Sequence, residues 1–212
     1  IGISGTFSFF PSKNLGGFGD GGIITTNDAD TATHLKRLRN HGMDPKYYHA
    51  EVGMNSRLDA LQAAVLSVKL RHLDAWSGAR QKNAAWYDRF FAEQGAADSA
   101  TPVDSGGLPI RTPRACARGR HIYNQYTVRV PAAVRDAVRA ELQNRKIGTE
   151  IYYPVPMHLQ ECFRSLGGKA GMFPHAERAA AETIALPIYG ELTEQQRAWV
   201  AESLVEAVRK LK

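Results

Sequence analysis

The stretch "TFSFFPSKNLGGFGDGGIITT", Thr6 to Thr26, decides the fold. Two apolar runs, "TFSFF" and "GGIITT", flank a turn that holds one lysine, Lys13, and five glycines between Gly16 and Gly22. Apolar and β-branched runs bounded by glycine clusters read as strands, so the segment reads as strand, glycine-rich turn, strand. "GFGDGG", Gly17 to Gly22, spells the GxGxxG dinucleotide pattern. That pattern requires a helix N-terminus directly after it, and here a second strand follows. The P-loop pattern is absent. What remains is a tight backbone, poor in side chains, that lets another group approach closely.

Most loop lysines are simply solvated, so a lysine at the mouth of this turn needs a second argument. A flexible amine that is partly desolvated beside a phosphate-binding pocket can condense with an aldehyde, and pyridoxal phosphate is the usual one. Ser8 lies five residues earlier on the same strand, where a hydroxyl can reach a phosphate, and Asn14 follows Lys13 in the turn.

The rest of the chain sets the frame. Its 212 residues are 43% hydrophobic and 23% charged, a globular composition sufficient for one large domain or two small ones. No apolar run approaches the roughly 20 residues of a membrane span, and no basic-plus-apolar leader opens the chain. Cys116 and Cys162 stand apart, without CxxC or His/Cys spacing, which argues against a disulfide scaffold and against zinc or another metal. A reducing cytoplasm is the expected compartment. The net charge of +6 is spread along the chain, with "HLKRLRNHG" (His34 to Gly42) its densest cluster. Charge spread in this way gives little reason to expect nucleic-acid binding, and a phosphate-bearing small substrate fits it equally well. The chain opens at Ile1 straight into an apolar strand, and further sequence upstream is expected.

Periodicity gives the organisation. Asn27 or Asp28 caps a helix running to about Asn40. From Ser56, the apolar steps Leu58, Leu61, Val65 and Val68 mark a long helix bent near Gly78 and reaching about Glu93. The Gly, Pro and Ala-rich segment that follows reads as loop. A strand in "HIYNQYTVRV", a helix from Pro131 to about Arg145 and an extended "GTEIYYPV" form a compact lobe, closed by helices near Ala176 and from Glu194 to Leu211. The expected domains are residues 1–56, the 57–95 bridging helix, and a small domain over 96–212.

"SFFPSKNLGGFGDGG", "LRNHGM", "VGMNSRLDALQAAVL", "IGTEIYYPVPMHLQ" and "ALPIYGELTEQQ" together resemble, in order, signature segments of the DegT/DnrJ/StrS nucleotide-sugar aminotransferases. The resemblance spans nearly the whole chain except about Ala96 to Arg120. It implies an α/β fold, the end of a fold-type I pyridoxal-phosphate large domain followed by a smaller α+β C-terminal lobe. It implies that Lys13 forms the Schiff base with pyridoxal 5'-phosphate, that Ser8 helps hold the cofactor phosphate, and that Asn55 reaches the phosphate of a neighbouring subunit in a homodimer. The family's phosphate-binding turn, cofactor-stacking ring and pyridine-nitrogen aspartate are not among these 212 residues.

The activity so implied is transamination of a nucleotide-linked keto sugar, with glutamate as donor. The segments most resemble the branch acting at C-3 of UDP- or dTDP-linked sugars, with C-4 amination the competitor. Tyr152, Tyr153 and His158 are the expected sugar-side wall, although packing aromatics and a loop histidine explain them equally well. Arg57 either pairs a phosphate or carboxylate of the substrate or holds a carboxylate of its own chain. Asp20 reads as a local turn bond, "KYYH" (Lys46 to His49) as interface or loop, and His121 and Tyr123 as structural. Two alternatives stay open. Sugar dehydratases of the family carry histidine in place of the lysine, which Lys13 disfavours, and a regulatory or dimerisation module without cofactor would need no complete site.

Overall fold

The computed structural model describes residues 2–103 and 105–211. They fall into two compact units divided between Ala75 and Trp76. The first begins with β1 (Ser4–Ser8) and β2 (Gly22–Thr26), antiparallel, with Ser4 opposite Thr26 and Ser8 opposite Gly22. The hairpin predicted from "TFSFF" and "GGIITT" is therefore present, and a strand, not a helix, follows the glycines. α1 (Ala29–Leu38) starts at Asp28, whose carboxylate accepts the Thr31 N–H at 2.7 Å and satisfies one of the orphan donors of the first turn.

The predicted long helix is two helices. α2 (Ala60–Leu70) begins at Asp59, which accepts the Leu61 N–H, and ends where His72 N–H turns back onto Lys69 O. α3 (Leu73–Glu93) follows. The interruption therefore lies at residues 71–72, and Gly78 sits inside α3 with open space where a Cβ would be. Neither glycine nor proline marks the break, which is a tightened last turn invisible to a pattern of apolar spacing.

Between α1 and α2 the chain folds back on the helix end. Met54 N–H donates to Leu38 O, His41 N–H to Met54 O and Ser56 N–H to Arg39 O. Two glycines make that crossing possible. A Cβ on Gly42, at φ +69°, would stand 1.8 Å from Glu51 O, and one on Gly53 would stand 2.2 Å from Gly42 N. Glu51 fastens the loop to α1 through His34 (2.7 Å) and Arg37 (2.6 Å), and the His34 hydrogen bond holds its carboxyl below the usual range.

The second unit contains the core. α3 contributes Tyr87 and Phe91 to a buried cluster completed by Ile110, Tyr126, Val128, Val138, Leu142, Ile184 and Leu204. Its sheet runs in the order β3 (Ala97–Asp98), β4 (Arg111–Thr112), β5 (Tyr126–Arg129), β6 (Thr183–Leu186). β3 and β4 are parallel, the other pairs antiparallel, and Tyr126 faces Leu186. α4 (Arg135–Asn144) packs against α6 (Glu194–Leu211), while α5 (Pro174–Glu182) leads into β6. α6 opens on a reciprocal cap in which Thr193 Oγ accepts the Gln196 N–H and Gln196 Oε1 accepts the Thr193 N–H. The predicted strand over 121–130 is shorter than expected, and "GTEIYYPV" contributes a bridge from Glu150 to Ala185 on β6 rather than a strand of its own.

The segment read as loop after residue 95 is organised by a buried cation. Arg111, 1% exposed, donates to the carbonyls of Thr101, Pro102, Val103, Leu108 and Ile110. These carbonyls would otherwise be lost to burial.

The two units differ sharply in burial. Among the described residues of the first, Leu66 is the one buried hydrophobic side chain, while Phe7 (57%), Ile23 (49%), Leu61 (78%) and Val68 (60%) lie open. A two-stranded sheet with apolar side chains open on its faces lacks the packing that stabilises sheets.

Candidate active site

Lys13 sits in the connection between β1 and β2, and the turn that presents it is closed by backbone bonds. Phe9 N–H donates to Gly21 O, Gly17 N–H to Phe9 O and Lys13 N–H to Phe10 O. Gly16 is required there, because a Cβ would fall 2.4 Å from Pro11 O. α2 braces the turn from outside. Gln62 Oε1 accepts the Phe18 N–H at 2.7 Å, and Lys69 Nζ donates to Gly16 O at 2.5 Å. Lys69 also lies over the Phe18 ring, 5.9 Å from its centroid. The Lys13 side chain itself is exposed.

Ser8 ends β1, and its Oγ accepts the Phe10 N–H at 3.2 Å. Accepting that bond leaves the hydroxyl hydrogen for a further acceptor such as a phosphate oxygen. An exposed primary amine in a braced turn with a hydroxyl donor at the strand end is a donor set that fits a phosphate-bearing aldehyde. Asn14 and Asp20 belong to the same connection.

Asn55 and Arg57 lie where the chain crosses the end of α1. Asn55 pairs with Asn40 in an isolated bridge, and Arg57 Nη1 donates to Asn40 Oδ1 at 2.5 Å. Among the described residues Arg57 is thus tied to an amide, not to a carboxylate. It lines a cavity of about 950 Å³ with Lys36, Arg39, Gly21 and β2. The "KYYH" turn projects nearby in sequence, with Tyr47 76% and Tyr48 71% exposed.

In the second unit Tyr152 and Tyr153 are exposed, their rings edge to face at 5.6 Å. Tyr152 lines a cavity of about 440 Å³ with Asn124, Gln125, Arg139, Gln143 and Thr149. His158 stands differently. It is largely covered, its Nε2 lies 3.0 Å from Glu177 Oε1, and its ring packs on Phe173. Glu177 also accepts the N–H groups of Gly171 and Phe173, and the Gly171 bond leads in holding its carboxyl below the usual range. His158 therefore serves the loop that precedes α5. His121 and Tyr123 contact each other, since His121 Nδ1 accepts the Tyr123 N–H and the two rings lie tilted with centroids 4.2 Å apart.

Sequence reasoning missed the braces Gln62 and Lys69. Their spacing of seven places both on one side of α2, whereas the apolar spacing of that helix says nothing of its polar side. It also missed α3 as the organiser of the second cavity. Arg80 donates to the carbonyls of Tyr123, Asn124 and Ile188, Asn83 to Tyr189 O, and Tyr87 to Pro187 O. Burial pushes the Tyr87 phenol well above its ordinary value, so it acts as a neutral donor. Among the described residues no group of His, Cys, Asp or Glu is arranged to hold a metal ion, and no helix is long and apolar enough to cross a membrane.

Comparison with known proteins extends over the same residues. The sequence is 46% identical over 209 residues to the "Pleiotropic regulatory protein" of Geobacillus stearothermophilus, covering 99% of this chain and 53% of that one. It is 39% identical to the UDP-N-acetyl-3-dehydro-alpha-D-glucosamine 3-aminotransferase of Acidithiobacillus ferrooxidans, covering 95% of this chain and 50% of that protein. Its fold superposes on the crystal structure of Streptomyces venezuelae DesV in complex with a ketimine intermediate at a TM-score of 0.86 and 37% identity, over 100% of this chain and 53% of that one. The chain thus spans about half the length of the relatives it matches. Residues 1–205 match the profile of the DegT/DnrJ/EryC1/StrS aminotransferase family, and the chain belongs to that family.

Proposed function

We propose that the protein takes part in pyridoxal-phosphate-dependent transamination of a nucleotide-linked keto sugar. The observation that carries this reading is Lys13, an exposed amine on a glycine turn braced by Gln62 and Lys69, with the Ser8 hydroxyl at the adjoining strand end. Bound pyridoxal phosphate supplies an electron sink and a carrier for the amino group. Ser8 Oγ–H donates to its phosphate. Lys13 Nζ would hold the cofactor at its aldehyde, and the same amine would carry the proton to and from the amine-bearing substrate carbon. Tyr152, Tyr153 and Arg57 orient the sugar and its phosphates, while His158 acts on substrate through the loop it holds.

Glutamate is the proposed donor and a UDP- or dTDP-linked 3-keto sugar the acceptor. The activities for which relatives are named support the position, among them the UDP-sugar 3-aminotransferase above and the dTDP-3-amino-3,4,6-trideoxy-alpha-D-glucose transaminase of Streptomyces venezuelae, 39% identical. The active unit is a homodimer in which Asn55 reaches the neighbouring subunit's phosphate. The open apolar side chains of β1, β2 and α2 support this, as faces that a larger domain and a second subunit would cover. We assign residues 1–56 to a larger cofactor-binding domain, 57–95 to the bridge and 96–212 to a small domain. A cytoplasmic location fits the two free, exposed cysteines.

Borohydride reduction of the intact protein loaded with pyridoxal phosphate, followed by peptide mapping, should place the pyridoxyl group on Lys13; labelling elsewhere defeats the assignment. Incubation with glutamate and a panel of 3-keto and 4-keto nucleotide sugars, with the new amine located by NMR, tests the position. The regulatory name of the 46% identical relative favours a second reading, a regulator without turnover. That reading predicts no cofactor absorbance and no label at Lys13.

A further inference from the structure

The cavity of about 440 Å³ in the second unit lies within the roughly 300–1,000 Å³ typical of small-molecule sites. Its polar side chains come from three separate segments. Gln125 stands just before β5, Arg139 and Gln143 lie on α4, and Thr149, Glu150 and Tyr152 belong to the stretch that follows α4. The end of β6 and the residues after it, Leu186, Pro187 and Ile188, supply an apolar strip. The frame is fixed from α3. Arg80 Nη1 donates to Asn124 O and Ile188 O, and Tyr87 OH donates to Pro187 O, so one helix holds two edges of the cavity. A pocket held in this way needs little reorganisation to receive a ligand.

Charge and hydrogen-bonding capacity narrow the ligand. Arg139 donates to Thr149 O at 3.1 Å and lies 3.5 Å from Glu150, so one cation and one anion line the cavity side by side and the lining carries no net formal charge. A diphosphate gains little from such a lining. Among the described residues, the amides of Gln125 and Gln143 and the hydroxyls of Thr149 and Tyr152 have no hydrogen-bond partner within the chain. Each of these groups can both donate and accept. A pyranose ring is polar round its edge and apolar on its faces. Amides and hydroxyls from three segments match the first property and the apolar strip matches the second, whereas a nucleobase gathers its polar atoms along part of one edge.

Resting on the nucleotide-sugar reading above, we infer that this cavity receives the sugar ring of the substrate, and that Gln125 and Gln143 are specificity-determining residues that hydrogen-bond its ring substituents. The diphosphate and the nucleoside lie outside the cavity.

The test uses the intact protein loaded with pyridoxal phosphate, with cofactor absorbance and circular dichroism as checks on folding. Calorimetry compares a nucleotide sugar that carries hydroxyl in place of the ketone with its bare diphosphate: UDP-N-acetylglucosamine with UDP, and dTDP-glucose with dTDP. The variants are Gln125→Ala/Gln143→Ala and, as control, Asn144→Ala, an exposed neighbour on α4 outside the cavity. The alanine pair should weaken nucleotide-sugar binding by roughly tenfold, as for the loss of one or two neutral hydrogen bonds, and leave binding of the bare diphosphate unchanged. Asn144→Ala should match the parent for both. Parent-like nucleotide-sugar affinity in the alanine pair, or an equal loss for the bare diphosphate, overturns the cavity assignment and leaves the nucleotide-sugar reading standing. A parent that retains cofactor but binds neither nucleotide sugar overturns both.

Discussion

Tyr126→Phe removes one oxygen from the middle of the second unit and should be read most clearly as a function of pH. Tyr126 is fully buried, and its hydroxyl donates to Asp88 Oδ1 at 2.6 Å, tying β5 to α3 just after the cavity wall at Asn124 and Gln125. Burial pushes the Asp88 carboxyl above its ordinary 3.8, and the Tyr126 bond pulls the other way. Deleting the donor leaves a half-buried carboxylate short of one charge-assisted bond, generally about 1.5–3 kcal/mol. Asp88 keeps partial contact with water, so about 1–2 kcal/mol is expected near pH 7. At roughly 2–4 °C per kcal/mol for a chain of this size, Tm falls by about 2–8 °C.

The sign of the pH dependence follows from proton binding. Because the folded-state pKa of Asp88 is raised, the native chain holds a proton over a window above 3.8 that the unfolded chain has released. Stability from this group is therefore lost as pH rises through that window. Without Tyr126 the folded pKa rises further and the window widens upward. The deficit of Tyr126→Phe should consequently shrink as pH is lowered from neutrality toward 3.8, because the carboxyl left without its donor takes up a proton first. Thermal denaturation of parent and variant by circular dichroism across that range is the assay. Equal stability at every pH, or a deficit that grows on acidification, refutes the reasoning.

Asn55→Ala should weaken retention of pyridoxal phosphate by roughly tenfold or more if the side chain serves a neighbouring phosphate; dialysis followed by cofactor absorbance measures it, and a fully active monomer in sedimentation contradicts the arrangement. Lys69→Met keeps an aliphatic stem against Phe18 but abolishes the bond to Gly16 O, at a cost of about 1 kcal/mol. Cofactor binding should loosen several-fold with the fold intact by circular dichroism, and parent-like affinity would show that the brace does not serve the site. Gly42→Ala places a Cβ 1.8 Å from Glu51 O at φ +69° and should cost at least about 1–3 kcal/mol in denaturant titration; tolerance of the alanine would mean that the crossing opens freely.

Much of the architecture follows from local patterns. The strands on either side of Lys13 are apolar runs bounded by glycine, α1 starts at a capping aspartate, and α6 carries its apolar positions at helical spacing behind a Thr-x-x-Gln cap. Each is specified by residues within a few positions of one another, and the family could be identified because five such local segments keep their order. The turn that presents Lys13 belongs to the same class, since its glycines announce a close backbone approach.

Only the tertiary structure decided the rest, because it depends on partners distant in sequence. β3 and β4 hold two residues each and exist through pairing, and the loop beside them is gathered by a guanidinium that no periodicity announces. β6 is a short, wholly buried strand registered against β5 some 60 positions away, so its alternation carries no polar face to read. The separation of α2 from α3 is a tightened turn without glycine or proline. His158 was equally compatible in sequence with a substrate wall or a structural bond, and the position of Glu177, 19 residues on, commits its ring to the loop. Sequence by itself placed an amine at Lys13 and a hydroxyl at Ser8 around a glycine-rich turn, residue types and spacing that resemble the family's pattern. Which polar side chains face a cavity and which are consumed within the chain was settled by long-range packing, where burial strongly favours pairing of donors with acceptors.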